Sequence, residues 1–390
     1  MKRIFITGFC LLFFRIFCFT QHAIEFKEIT FQQSLELSAK ENKPVLFMCY
    51  EDWCGHCEKM INEVFIDSTL AAFYNKNFIC VKQDMTTGDG QALVKRFYIT
   101  SFPTFVVLNK SGETIYQFIG EYKGADFIKM GETSLITENQ IPYLKNQFEN
   151  NLLDSTACYK YLQVLSKGRL PTQQVVNTYF EANKNNFEIS SGNWKILSSG
   201  VSDINSIPFK FIIDHQKEFA EVVTQKKVDR KIYLSSAYNL QTAANANDTA
   251  NYFLNRNVAT TFNNSQVDSL IFVNDLAVYE KNKKWSNYIS TALRGTETYS
   301  WNDATPLRRI AENIYIHSDE TTQIVKASLY AKRSVKLKQD YFNTILQAKI
   351  LIKLGYKTDA KLFAEEAKAL AEKNKTNTSE AELIIKQCEE

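Results

Sequence analysis

Glycine and proline are scarce in this chain of 390 residues, at 13 and 6. So few chain-breaking residues exclude a linker-rich or wholly disordered polypeptide. Histidine is scarcer still, at four, and His22, His215 and His317 belong to no motif. An excess of charge is also lacking: 46 basic residues face 43 acidic ones. Without a basic footprint, nothing points to nucleic acid as a partner. Beyond the N-terminus no apolar run has the length of a membrane helix. What is present is aromatic, with 28 Phe and 19 Tyr, and the hydrophobic fraction of 45% is an ordinary globular value. The length suggests two or three domains.

The N-terminus reads as an export signal over residues 1–20. Lys2 and Arg3 form a basic start, Ile4 to Phe19 is mostly apolar, and Cys18 and Thr20 are small enough to precede a cleavage site before Gln21. Arg15 interrupts the apolar stretch, and an uncleaved membrane anchor is the other reading; any membrane contact would then run through this segment alone. Loss of residues 1–20 would remove Lys2, Arg3 and Arg15 and no acid, leaving 43 basic and 43 acidic residues. Export would place the cysteines in an oxidising compartment, such as the periplasm, where disulfide chemistry persists.

The most informative motif is Trp53-Cys54-Gly55-His56-Cys57, at the end of the apolar run Val45 to Tyr50. Two cysteines separated by two residues can form a reversible disulfide. A strand before them and a helical pattern after them put Cys54 near a helix N-terminus, where unpaired N–H groups favour the thiolate. Around this corner the pattern alternates. Ile24 to Ile29 reads as an edge strand and Thr30 to Glu41 as a helix. Cys57 to Tyr74 is helical with a break near Asp67-Ser68, and Phe78 to Val81 is a buried strand. Gln91 to Phe97 is a short helix. Phe105 to Leu108 and Thr114 to Gly120 are strands joined by the turn 109–112, and a last helix begins near Asp126. This order implies a mixed sheet with helices on both faces.

After about residue 135 the strand pattern fades, so the expected domains are 21–135 and an all-helical 136–390. Near 320–372, Ala327, Ala331 and Ser334 recur 33 residues later as Ala360, Ala364 and Ala367. The spacing resembles a tetratricopeptide-type helix pair, whose period is about 34 residues.

Trp-Cys-x-x-Cys followed by Phe102-Pro103-Thr104, with these elements between, resembles the thioredoxin fold. Glu41-Asn42-Lys43-Pro44, Glu63-Val64-Phe65 and Asn77-Phe78 add a similarity to exported thioredoxin-like proteins of the Bacteroidetes. Cys-Gly-His-Cys resembles the site of protein disulfide isomerases. The resemblance implies thiol–disulfide exchange with protein substrates and needs no organic cofactor or metal. Cys54 would attack and Cys57 would resolve the mixed disulfide. A protonated His56 would favour the Cys54 thiolate. Pro103 would be a cis-proline whose preceding loop, at Phe102, faces the cysteines and pairs with an extended substrate. Trp53 would offer substrate a flat apolar contact. One departure is plain: the buried acid usual in thioredoxins six residues before the first cysteine is Met48 here, with Glu51 and Glu58 nearby in sequence.

Other readings stay open. The pair also reads as a static disulfide or, with His56, as metal ligands. Cys49 and Cys80 read as buried apolar residues, and pairing of Cys158 with Cys388 is undecided. The helical region would present a surface to a protein client. Alternatively, it is the main functional part, a binding scaffold, and the first domain merely docks it.

Overall fold

The computed structural model describes residues 23–390. The expected export signal lies outside the described residues. No helix among the described residues is long and apolar enough to cross a membrane. The chain divides into two compact units, the first ending at Val201 and the second spanning Ser202–Glu390.

In the first unit, Thr30 opens α1 (Phe31–Glu41) with a capping box. Its hydroxyl accepts from the Gln33 N–H, and the Gln33 side chain accepts from the Thr30 N–H. Asn42, left-handed at φ 54°, ends the helix and turns the chain into β1 (Val45–Tyr50). A short α2 (Gly55–Lys59) runs into a π-helical turn, Met60–Val64. Asp67 caps α3 (Ser68–Asn77) through the Leu70 N–H, which places the expected break where the sequence put it. There follow β2 (Ile79–Asp84), α4 (Gly90–Arg96), β3 (Thr104–Leu108), β4 (Thr114–Ile119) and α5 (Gly124–Leu135). The β3–β4 turn needs Gly112, whose φ is +76°.

The sheet order is β2-β1-β3-β4, with β1 parallel to β2 and antiparallel to β3, and β3 antiparallel to β4. β1 is buried on both faces. One face carries Val45, Phe47, Ile79, Val106 and Leu108 against α1 and α4. The other is aromatic: Phe105 stacks on Phe118 at 5.0 Å, and Phe127 of α5 lies 4.8 Å from Phe105 and 4.7 Å from Tyr74 of α3. This is the expected mixed sheet covered by helices.

One expectation is corrected. Ile24 to Ile29 is not a strand but touches the sheet by one bridge, Lys27 to Val81. Its backbone is held by three different elements, with the Ile24 N–H on Phe65 O, the Glu25 N–H on Asn75 Oδ1 and the Lys27 N–H on Cys80 O, so no ladder can form. The first compact unit extends beyond α5. It takes in α6 (Ile141–Asn150), α7 (Ser155–Lys167), α8 (Gln173–Asn183) and α9 (Ser191–Gly200), and α6 and α7 pack on β4.

The second unit is all helical. Its first helices are α10 (Ile207–Asp214), α11 (Gln216–Val223), α12 (Gln225–Asn245) and α13 (Thr249–Ala259). They are followed by α14 (Ser265–Lys281), α15 (Trp285–Tyr299) and α16 (Ala304–His317). The chain closes with α17 (Thr321–Leu337), α18 (Tyr341–Lys353), α19 (Lys357–Lys373) and α20 (Ser379–Glu389). Successive helices from α16 to α20 pack on one another. Ala327, Ala331 and Ser334 on α17 and Ala360, Ala364 and Ala367 on α19 are all fully buried, as small residues at a close helix approach should be. Asp275 of α14 is a buried carboxylate paired with Arg256 Nε at 2.9 Å and with the Tyr252 hydroxyl at 2.7 Å.

Candidate active site

Four residues after β1 ends, Cys54 becomes the N-cap of α2. Its N–H donates to Glu51 O at 3.0 Å, and its Sγ accepts from the Cys57 N–H at 3.1 Å. A backbone donor aimed at this sulfur favours negative charge on it. Cys54 and Cys57 are joined as a disulfide, with their Cα atoms 5.2 Å apart. Cys54 keeps 8% of its surface and Cys57 only 1%, so Cys54 is the more accessible of the two. Trp53 is 77% exposed beside it, far too open to be core.

The Phe102–Pro103 peptide is cis. Strand register brings this loop to the cysteines: Cys49 of β1 lies opposite Thr104 of β3, so the chain leaving β1 toward Cys54 runs beside Phe102 and Pro103. Pro103 O accepts from the Gly120 N–H at 2.9 Å. The Phe102 N–H and C=O have no hydrogen-bond partner among the described residues. An unpaired donor and acceptor beside a disulfide form a template for an extended chain.

His56 is open to solvent, and its Nδ1 lies 2.9 Å from Glu121 Oε2. Lys59, one turn on, holds the other oxygen of the same carboxylate. The Lys59 ammonium, and then His56, keep the Glu121 carboxyl below the usual range, and Glu121 in turn raises Lys59. The adjoining Tyr122 N–H donates to Met60 Sδ at 3.3 Å, pinning the loop that carries Glu121 against the helix that carries His56.

Met48 is fully buried in β1, so it offers no proton acceptor. Glu51 Oε2 is buried without a hydrogen-bond partner, three residues before Cys54. Glu58 is exposed in the first turn of α2. Cys49 and Cys80 are free and buried on opposite faces of the sheet, which rules out a bridge between them. Cys158 and Cys388 are also free. His215 stacks on Phe211 and His317 on Trp285, so both are packing residues.

Two residues near the site escaped the sequence. Glu121 is 65 positions from His56, and its one signal is that it follows Gly120 at the end of β4. Arg169 comes from beyond the expected domain boundary, and its Nη1 donates to Ser101 Oγ at 2.8 Å, one residue before the cis bond.

Residues 31–134 match the family described as Thioredoxin-like domain. This stretch is a thioredoxin-like domain. A chloroplastic thioredoxin Y1 of Arabidopsis thaliana is 33% identical over 119 residues, covering 30% of this chain and 64% of that protein. Protein disulfide-isomerase 1 of Dictyostelium discoideum is 28% identical over 107 residues, covering 24% of this chain and 29% of that one. The chain thus spans under two thirds of these relatives. The solution structure of a Bacteroides thetaiotaomicron protein assigned as a disulphide-isomerase is 31% identical, with 30% of this chain and 97% of that one covered and a TM-score of 0.29. A thioredoxin-like domain bearing this Cys-x-x-Cys pair fits thiol–disulfide oxidoreductase activity.

Proposed function

We propose that the protein exchanges disulfides with polypeptide substrates through Cys54 and Cys57. The observation that carries this reading is the Cys54–Cys57 pair itself, a disulfide on a helix N-cap with the outer sulfur more exposed than the inner. In the reducing direction the Cys54 thiolate attacks a substrate disulfide. A Cys54–substrate bond forms, the substrate disulfide breaks, and its leaving sulfur takes a proton. The Cys57 thiolate then attacks Cys54 Sγ, closes the intramolecular disulfide and releases the second substrate thiol. Two electrons and two protons pass from the dithiol to the substrate, and the reverse sequence oxidises one. A separate thiol donor would restore the dithiol.

In this scheme the substrate strand lies along Phe102 and Pro103, with Trp53 against its apolar side, and His56 favours the Cys54 thiolate when protonated. The proton of Cys57 goes to Glu51, the carboxylate whose buried Oε2 lacks a partner. Glu51→Gln should then slow release of the mixed disulfide by roughly 10²-fold, the low end for a positioned base, without slowing its formation. Equal slowing of both steps would remove Glu51 from this role. The N-terminal segment directs the protein to the periplasm, and the tetratricopeptide-like pairs of the second unit offer a surface to a client protein.

Reduction of insulin by dithiol-charged protein tests the central reading. Cys57→Ser should accumulate mixed disulfides on non-reducing gels and Cys54→Ser none. Absence of insulin reduction, or equal trapping by both variants, would overturn it.

A further inference from the structure

We infer that Arg169, supplied by the helical segment after the thioredoxin-like domain, is a specificity-determining residue that selects substrates with an acidic side chain close to the reacting cysteine. The inference rests on the exchange reaction proposed above and adds to it a charge preference.

Three observations place this cation. Arg169 reaches the loop where a substrate strand would pair, with Nη1 2.8 Å from Ser101 Oγ, and Phe102 beyond it has its N–H and C=O unpaired. The anchor behind it is closely held. At the end of α7 the Arg169 N–H donates to Ser166 O and the Leu170 N–H to Leu165 O. The Gly168 carbonyl accepts from Gln117 Nε2 of β4 at 2.8 Å. A Cβ at Gly168 would sit 2.9 Å from Gln117 Cβ, so the helix end is pressed onto the strand as closely as a glycine permits. Arg169 itself is left-handed, at φ 51°, a position glycine or asparagine fills more readily. The third observation is the charge. Arg169 is exposed and makes no ion pair with a carboxylate among the described residues. One N–H of its fork is used on Ser101, and the others remain to receive a carboxylate in two-point fashion.

Asp52 is exposed between β1 and Trp53.

The test uses the full mature chain and two peptide disulfides, identical except that the residues flanking the cysteine are Glu in one and Lys in the other. The readout is the ratio of second-order rate constants for their reduction. Exposed charge pairs being weak, the wild-type ratio should favour the Glu peptide by about two- to fivefold and approach one in high salt. Arg169→Glu should invert the ratio, and Arg169→Lys should retain its direction. A wild-type ratio near one, or a ratio unmoved by Arg169→Glu, overturns the charge role while leaving the exchange reaction intact. Equal slowing of both peptides by Arg169→Glu also overturns it, since Arg169 would then only brace the Ser101 loop. A wild-type protein that reduces neither peptide removes the exchange reaction and this inference together.

Discussion

Among the described residues, the four thiols outside the redox pair differ in what they can do. Cys49, Cys80 and Cys158 are buried, and burial pushes all three thiols up, Cys158 to about 12. Thiolate being the reactive form, they should resist alkylation in the native state. Reduced protein treated with iodoacetamide near pH 8 should label Cys54 first and these three only after unfolding; mass mapping checks this, and early label on Cys49 would contradict the packing. Cys158 also makes stability pH-dependent. Below its ordinary value of 9.0 both states hold the proton and stability is full. Between 9 and 12 the unfolded chain loses a proton that the folded chain keeps, so stability falls by about 1.4 kcal/mol per pH unit for each such thiol. Urea midpoints measured from pH 8 to 10.5 should fall, and less steeply in Cys158→Ala. At the redox pair, His56 acts on a thiolate that exists only in the reduced state, so a cationic ring makes the couple more oxidising. Its exposure limits the effect to that of a surface charge, and His56→Pro should lower the potential by about 5–20 mV. Equilibration against glutathione gives both values, and an unchanged one dismisses His56 as a tuning residue. The Cys54–Cys57 pairing and the cis bond before Pro103 were legible in the sequence because each lies in a local motif. Glu121 and Arg169 were not, because strand register and a helix end bring them to the site.

Elements are legible where their own residues decide them. Thr30 with Gln33 and Asp67 with Leu70 announce helix starts, and the apolar run of β1 announces a strand buried on both sides. Residues 24–29 show how the reading fails: apolar residues on a short extended stretch look like a strand, but Phe65, Asn75 and Cys80 divide its backbone bonds among them. The attachment of α7 to β4 is equally silent in sequence. It runs through Gln117, a fully buried amide in the middle of β4, whose Nε2 donates to Phe97 O at 3.0 Å and to Gly168 O at 2.8 Å. Gln117→Leu would leave two carbonyls unsatisfied at about 1–3 kcal/mol each, offset in part by losing the unpartnered Oε1. We expect a net loss of about 2 kcal/mol in urea unfolding, and a release of the α7 end that Arg169 follows. A neutral or stabilising change would mean that the amide is not what holds the helix there.

At the scale of the whole molecule, the consequential result is where the first unit ends. A sequence read by strand pattern stops at 135, because β4 and α5 complete the sheet and its cover. The packing continues to Val201: α6 and α7 lie on β4, and Leu144, Phe148, Leu162 and Leu165 of these helices are buried. Tyr116 of β4 is 2% exposed, with the Lys167 ammonium 5.7 Å from its ring centroid. A fragment of residues 23–135 would return Tyr116 and Gln117 to water and would lose the bond from Gln117 to Gly168. Uncovering one large apolar side chain costs about 1.5–3 kcal/mol, against a total stability of about 5–15 kcal/mol for a domain. The fragment 23–201 keeps all of these contacts. It should unfold in urea as one cooperative transition, with a steeper dependence on denaturant because more surface is exposed on unfolding. The shorter fragment should unfold about 2–3 kcal/mol more readily. Coincident stabilities for the two fragments would mean that helices α6 to α9 ride on a domain already complete at 135. In that event Arg169 would lack the fixed base from which it meets Ser101, and the charge preference of the Glu and Lys peptides should vanish with it.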